Sequence, residues 1–298
     1  MTVVRKEYQR RADATLVSTV AFMGVSSLFI CLIGVIYCFV TDFSLLRQMN
    51  DGVLGLSILF SFILTVNTCL CIFGSKYGSL AIISIFANLG TLVISAIYGL
   101  LTDPVRNQLN GYKIVGIILV LVILELSFLE ERKQAKSVEI KKEARHNRTF
   151  LIICLLIFSF NGSALPIYSM FSTNYGAYGE INFIILYLFF CVILCGAVLA
   201  VLGLFGKKKA EVKAEMKASV GLIPLLCTLA YGGVFFGAEF LAIKTTIVMP
   251  IVVQAPLKLA VQVIIVAAAD YLIFKQRISK IQFIQIGLAL ISGVLFAL

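Results

Sequence analysis

Lys258 stands near the middle of an apolar segment, residues 247–269, with Gln254 four residues before it and Gln262 four residues after it. On a helix, residues four apart project from one face, so two amides flank an ammonium along a single stripe. Such a set offers a positive charge and orienting hydrogen bonds to an anionic or carbonyl group of a solute. A cation deep in a bilayer costs about 2.5–3.5 kcal/mol even on the lenient insertion scale, so the stripe is expected to face protein or a water-filled cavity rather than lipid. The other reading is a structural lysine that pairs with an acid or runs its stem towards the headgroups.

A second stripe lies in residues 84–102, where Ser84, Asn88, Thr91, Ser95, Tyr98 and Thr102 follow one another at alternating steps of four and three. Helical spacing again puts them on one face. Ser84, Asn88 and Thr91 then form the opposite wall of a solute cavity, or else they join helices through small polar groups, as membrane bundles commonly do. Asn161-Gly162-Ser163, with Pro166 just beyond and Tyr168 a turn away, is expected to break or kink its segment. A broken helix frees backbone groups that a cavity can use, which makes Asn161 and Tyr168 candidates for solute binding, although a packing kink explains the same residues. Glu239, about five residues inside the end of its segment, is the candidate for proton coupling. Gly233-x3-Gly237 reads as a place where another helix approaches closely.

These residues sit in apolar runs that recur from residue 16 to the end of the chain. Hydrophobic residues make up 60% of the 298 and charged residues 13%, which excludes an ordinary soluble domain. About 20 apolar residues are needed to cross the ~30 Å hydrocarbon layer as a helix, and no period-two alternation suggests a membrane barrel. The expected spans are 16–40, 52–73, 78–101, 112–129, 149–172, 182–205, 219–241, 246–272 and 281–298. Residues 1–13 are basic like the start of a signal peptide, but the apolar run that follows is too long for one, so the first span is expected to be retained. All eight cysteines fall inside predicted spans, where they act as small apolar residues. His146 is the only histidine and lies in a charged loop, so neither a metal site nor a cofactor is expected.

Charge sets the orientation. Except for Arg47, Arg106, Lys113, Lys244 and Lys258, every Lys and Arg falls in residues 1–13, at Lys76, or in 130–148, 207–217 and 275–280. These are alternate loops, so the basic side should face the cytoplasm, with the N-terminus inside and the C-terminus outside. The net charge of +10 is thus a sidedness signal and not a nucleic-acid footprint. The longest polar run, around 131–148, separates an N-terminal block, 1–130, from a C-terminal block, 149–298. An offset of 168 residues aligns Lys76 with Lys244, Ala87-Asn88-Leu89 with Ala255-Pro256-Leu257, and Thr102 with Asp270. A shift of three more brings Gly116 onto Gly287. The loops at Lys76 and Lys244 lie on opposite sides, so matching segments cross in opposite directions, a plan typical of secondary transporters. The expected class is therefore an all-α polytopic membrane protein of roughly nine transmembrane helices, arranged as two inverted repeats of four and five.

In residues 242–298, Pro256 lies mid-span, Asp270 closes the span fourteen residues later, and Arg277, Gln285-Ile286-Gly287 and Gly293 follow. This run resembles the end of the drug/metabolite transporter superfamily, EamA-like branch, and Asn88, Thr102 and Gly116 repeat the theme more faintly. The resemblance implies a carrier built from five plus five helices. Four spans precede the connector here, so the counterpart of the family's first helix, which helps line the cavity, is expected to be missing. The expected function is secondary active transport of a small organic solute or metabolite in the plasma membrane, not catalysis. The solute and the lipid bilayer are the partners expected, with a homodimer left open and no nucleic acid. A membrane-embedded enzyme acting on a lipid is the alternative, but the chain has no Gly-rich phosphate loop of the G-x4-G-K-[ST] type. A non-transporting accessory protein is the third.

Overall fold

In a bilayer no water satisfies the main chain, so an apolar sequence without period-two alternation must close its hydrogen bonds within helices. The computed structural model describes residues 16–41, 50–75, 80–105, 107–135, 144–205, 222–272 and 280–297, and among them regular structure is entirely helical. The helices are α1 (Leu16–Thr41), α2 (Asp51–Ser75), α3 (Leu80–Thr102), α4 (Gly111–Ala135), α5 (Ala144–Gly162), α6 (Ala164–Tyr175), α7 (Glu180–Phe205), α8 (Leu222–Val248), α9 (Ile251–Leu272) and α10 (Lys280–Ala297). A 3-10 turn, Gly176–Tyr178, links α6 to α7. Among the described residues, four helical stretches are long and apolar enough to cross a membrane: Val17–Val40, Asp51–Cys71, Thr149–Tyr178 and Glu180–Leu202. Shorter apolar stretches occur in α3, α4, α9 and α10. Large apolar side chains stand exposed on many helices, among them Phe39, Phe62, Leu155, Phe189, Leu241 and Phe283, as expected where acyl chains replace water.

Helix starts follow from local chemistry. Asn50 caps α2, its Oδ1 accepting the Gly52 N–H at 2.8 Å, and Asn110 caps α4 by accepting the Lys113 N–H at 2.9 Å. Gly179, at φ 79°, makes the turn into α7 in a backbone conformation that favours glycine.

The chain divides into two compact units, Met1–Phe73 with Ile167–Ile247 and Gly74–Pro166 with Val248–Leu298. The first unit holds α1, α2, α6, α7 and α8. In it α1 runs along α7, and Gly24 and Gly34 allow the approach: a Cβ on Gly24 would lie 3.2 Å from the Cys195 Cβ, and one on Gly34 2.7 Å from Ile185 Cγ1. Part of its core is aromatic. Phe60 meets Tyr168 and Tyr187 edge to face at 5.1 and 4.7 Å, and Phe171 stacks on Phe183 at 4.4 Å. All five rings are buried, and each such pair adds about 0.5–1.5 kcal/mol beyond its area.

The second unit holds α3, α4, α5, α9 and α10. Here α3 packs on α5 and α9, while α10 packs on α4 and α9. Leu92, Val120, Val253 and Leu259 form one buried cluster, and Ile123, Ala260 and Ala289 another. Gln285 Nε2 donates to the Ile123 carbonyl at 3.4 Å and Ser292 Oγ to the Gly116 carbonyl at 3.1 Å, tying α10 to α4. Each unit thus draws helices from both sides of the 131–148 connector, so compactness divides the chain differently from the 1–130 and 149–298 blocks.

One helix boundary falls where the sequence pointed and another does not. The span expected at 149–172 is broken at Ser163, where its Asn-Gly-Ser-x-x-Pro sequence pointed. The break expected between 241 and 246 is absent, and α8 continues to Val248. Lys244 holds its ammonium 5.1 Å from the Phe240 ring centroid, one turn back, and Thr245 and Thr246 donate to the carbonyls of Ala242 and Ile243. The helix stops at Met249-Pro250, because the residue before a proline is pushed out of helical geometry.

Candidate functional site

The predicted site residues divide between the units. Ser84, Asn88, Thr91, Asn161, Gln254, Lys258 and Gln262 belong to the second, Tyr168 and Glu239 to the first. The side chains of Ser84 and Gln262 lie outside the described residues.

In the second unit the structure brings Thr91 and Asn161 together. Asn161 Nδ2, on the last turn of α5, donates to both the Ala87 carbonyl and Thr91 Oγ1 of α3 at 2.8 Å, and Thr91 Oγ1 donates to the Ala87 carbonyl at 3.1 Å. This triangle depends on glycine. A Cβ on Gly90 would overlap the Phe158 carbonyl, and one on Gly162 would lie 2.5 Å from the Gly90 carbonyl oxygen. The two helices therefore touch backbone to backbone, as small residues permit in membrane bundles. At Gly233 and Gly237, the positions expected to play this part, a Cβ would meet nothing within 4 Å among the described residues.

Asn88 and Ser95 lie on the face of α3 between the side packed on α5, carrying Ala87, Gly90 and Ile94, and the side packed on α9, carrying Leu89, Leu92 and Val93. Asn88 is half-buried. Ser95 is wholly buried, and its hydroxyl has no hydrogen-bond partner among the described residues. An unsatisfied buried donor costs about 1–3 kcal/mol, so Ser95 is a local cost to the packing of α3.

The neighbouring α9 carries the charge. Its apolar residues Val253 and Leu259 pack in the cluster shared with α3, and Gln254 is buried beside them. Lys258 is exposed, so the two residues one turn apart differ in environment. It is the eighth residue of a helix that starts at Ile251, about 10 Å along at ~1.5 Å per residue. The expected span start at 246 had set it deeper. The start of α9 is fixed by Asn107, which sequence reasoning missed. Its Oδ1 accepts the Val252 N–H at 3.3 Å while its Nδ2 donates to the Asp103 carbonyl at 2.9 Å. The Asp103-Pro104 turn signal was visible, but the partner lies 145 residues away.

In the first unit, Tyr168 is buried among aromatic rings. Glu239 is half-buried and lies nine residues before the end of α8, about 13 Å along the helix at ~1.5 Å per residue, farther from that end than expected. The unit also holds a partly open cavity of about 30 Å³ lined by Ser26, Ser27, Leu64, Thr68, Leu188 and Phe235 among others. A water needs about 10–15 Å³ on this measure, so the space suits about two or three waters. Beside it α2 and α7 are joined through sulfur: Thr65 Oγ1 donates to Cys191 Sγ at 3.7 Å, and Cys191 Sγ to the Ser61 carbonyl at 3.6 Å. Ser57, Ser61 and Thr65 repeat every four residues, a signal that the spacing rule applied to residues 84–102 would also have found. Among the described residues no three His, Cys, Asp or Glu side chains converge as metal ligands would.

No family model matches the chain, and no curated protein matches it either. A solved structure described only as "Crystal structure of protein" is similar to it in fold, with a TM-score of 0.67 at 14% identity, covering 96% of this chain and 97% of that one. The all-helical architecture is therefore shared along nearly the whole length of another chain.

Proposed function

We propose that this protein is a secondary active transporter of a small organic solute, working by alternating access, and that Lys258 holds an anionic or carbonyl group of that solute. The observation that carries the reading is an exposed ammonium on an apolar helix, one turn from a buried glutamine. Facing hydrocarbon, that ammonium would cost about 2.5–3.5 kcal/mol; facing an aqueous chamber, it costs little and selects for negative charge. Half-buried Asn88 supports the reading by offering a neutral hydrogen-bonding group on α3, the helix that packs against α9. In this reading the chain crosses the plasma membrane nine times as two inverted repeats, resembling the EamA-like carriers.

The deciding experiment is uptake into proteoliposomes from a mixture of small anions and neutral metabolites, paired with solute-dependent thermal stabilisation. Lys258→Ala should abolish both uptake and stabilisation while the protein still folds and inserts. A ligand at a hundred times its Kd stabilises the native state by about 2.7 kcal/mol, so the shift in Tm is large enough to read. Uptake unchanged by Lys258→Ala rejects the assignment. Product formation in detergent, where no compartments exist, would instead favour an enzyme.

A further inference from the structure

Sulfur-bearing side chains from three helices gather in the core of the first unit. Cys195 of α7 is buried in one cluster with Val20 and Met23 of α1, and Cys69 of α2 packs against that cluster. Cys191 lies one turn before Cys195. Register explains the gathering. Ser61, Thr65 and Cys69 repeat every four residues along α2, as Cys191 and Cys195 do along α7. Phe60 meets Phe183 and Tyr187, and Ser61 and Thr65 both bond Cys191, so the two helices advance in the same direction here. The next step along each sets Cys69 beside Cys195. Cys69 and Cys191 are both near enough to act on Cys195 electrostatically. From the other side α1 approaches closely at Gly24, where a Cβ would lie 3.2 Å from the Cys195 Cβ, and this brings the adjacent Met23 into the cluster. The partly open cavity borders the same place, since Met23 and Leu64 belong to both.

Thioether and thiolate are soft donors that select Cu(I) over hard cations, and Cu(I) accepts low coordination. Zinc instead takes tetrahedral sets of nitrogen and sulfur, and among the described residues no three His, Cys, Asp or Glu converge to begin one. We infer that Met23, Cys69 and Cys195 form a binding site for a single Cu(I) ion, which the cavity admits. On binding, the Cys195 S–H bond breaks, its proton passes through the cavity to water, and an S–Cu bond forms. A proton thus leaves as a monovalent cation enters, the buried charge is unchanged, and copper stays in one oxidation state. A divalent ion at the same place would leave a charge uncompensated in a medium that penalises it. Cys191 keeps its bonds to α2 and so positions the helix that carries Cys195. The three ligands lie about 9–15 Å from the Leu16, Ser75 and Phe205 ends of their helices at ~1.5 Å per residue. Loop charge assigns those ends to the cytoplasm, where thiols are kept reduced.

The test is copper retention by the purified full chain in detergent, loaded with Cu(I) under a reductant and then challenged with a coloured Cu(I) chelator. The wild-type protein should keep one ion per chain. Cys195→Ser and Cys69→Ser should each abolish retention. Met23→Leu, which conserves volume, should weaken affinity roughly ten-fold or more, since losing even an outer-shell partner typically costs that much. Cys154→Ser, buried in the second unit, should change nothing. A wild-type protein that surrenders its copper, retention that survives either of the first two substitutions, binding that Met23→Leu leaves unaltered, or loss caused by Cys154→Ser overturns the site. If the serine variants do not fold, Met23→Leu and copper X-ray absorption on the wild-type protein decide: a shell of sulfur alone is expected, and nitrogen or oxygen ligands overturn the assignment. Solute uptake enters none of these readouts, so the site stands or falls independently of Lys258.

Discussion

Asn161 places one amide between two acceptors on a neighbouring helix, and both bonds are short. An interhelical hydrogen bond in a membrane protein contributes on average about 0.6 kcal/mol and at most about 1.7, so Asn161→Ala should destabilise by roughly 1 kcal/mol. Thr91→Val should cost less, since it removes one acceptor and leaves the Ala87 carbonyl to Asn161. The two substitutions should be non-additive, because they share one triangle. Thermal denaturation in a fixed detergent measures all three, and full additivity would show that the triangle is not a unit. At this scale the sequence singled out polar residues but not their pairing. Thr91 and Asn161 were both conspicuous as polar residues in apolar runs, yet their contact depends on a backbone crossing that two glycines permit. Tyr168 stood out for its place a turn beyond the Asn-Gly-Ser break, and its burial against Phe60 could not be read from that position.

Among the helices, the crossing of α3 and α5 separates glycines that matter from those that do not. Gly90→Ala should weaken the fold markedly, by roughly 1–3 kcal/mol as overpacking does, because the new methyl would meet main chain that cannot swing aside. Gly237→Ala should be neutral or slightly stabilising, since nothing crowds that position among the described residues and alanine is the better helix former. Comparing the two in one unfolding assay checks the geometry; equal costs would contradict it. A small-x3-small spacing at 233–237 was readable, but spacing alone does not say which glycine faces a partner. The α8–α9 boundary shows the same limit. Lys244 marked an expected loop, and the helix absorbed it by laying the lysine over Phe240, while Thr245 and Thr246 turn their hydroxyls back on the helix's own carbonyls. Met249-Pro250 was the stronger stop, for a steric reason that needs no tertiary information.

For the molecule as a whole, the all-helical class, with apolar helices long enough to cross a membrane, was legible because a chain that is 60% hydrophobic has few other ways to satisfy its backbone in lipid. Orientation is a prediction from loop charge: a C-terminal reporter active only outside the cytoplasm should light up, and one active only inside should stay dark. The reverse result would invert the assignment of every loop. The partition into compact units was not legible, because it depends on which helix packs on which, and apolar surfaces in lipid carry little instruction of that kind. That partition reaches back to how the protein is made. Residues up to Phe73 belong with partners that begin at Ile167, so α1 and α2 leave the ribosome well before the segments that complete their core. At about 5–20 residues per second the delay is roughly 5 to 20 s, during which the hydroxyl ridge of Ser57, Ser61 and Thr65 must be sheltered by the insertion machinery or by lipid. Biogenesis therefore cannot proceed unit by unit, and a nascent chain arrested in the 131–148 connector would carry an incomplete share of both.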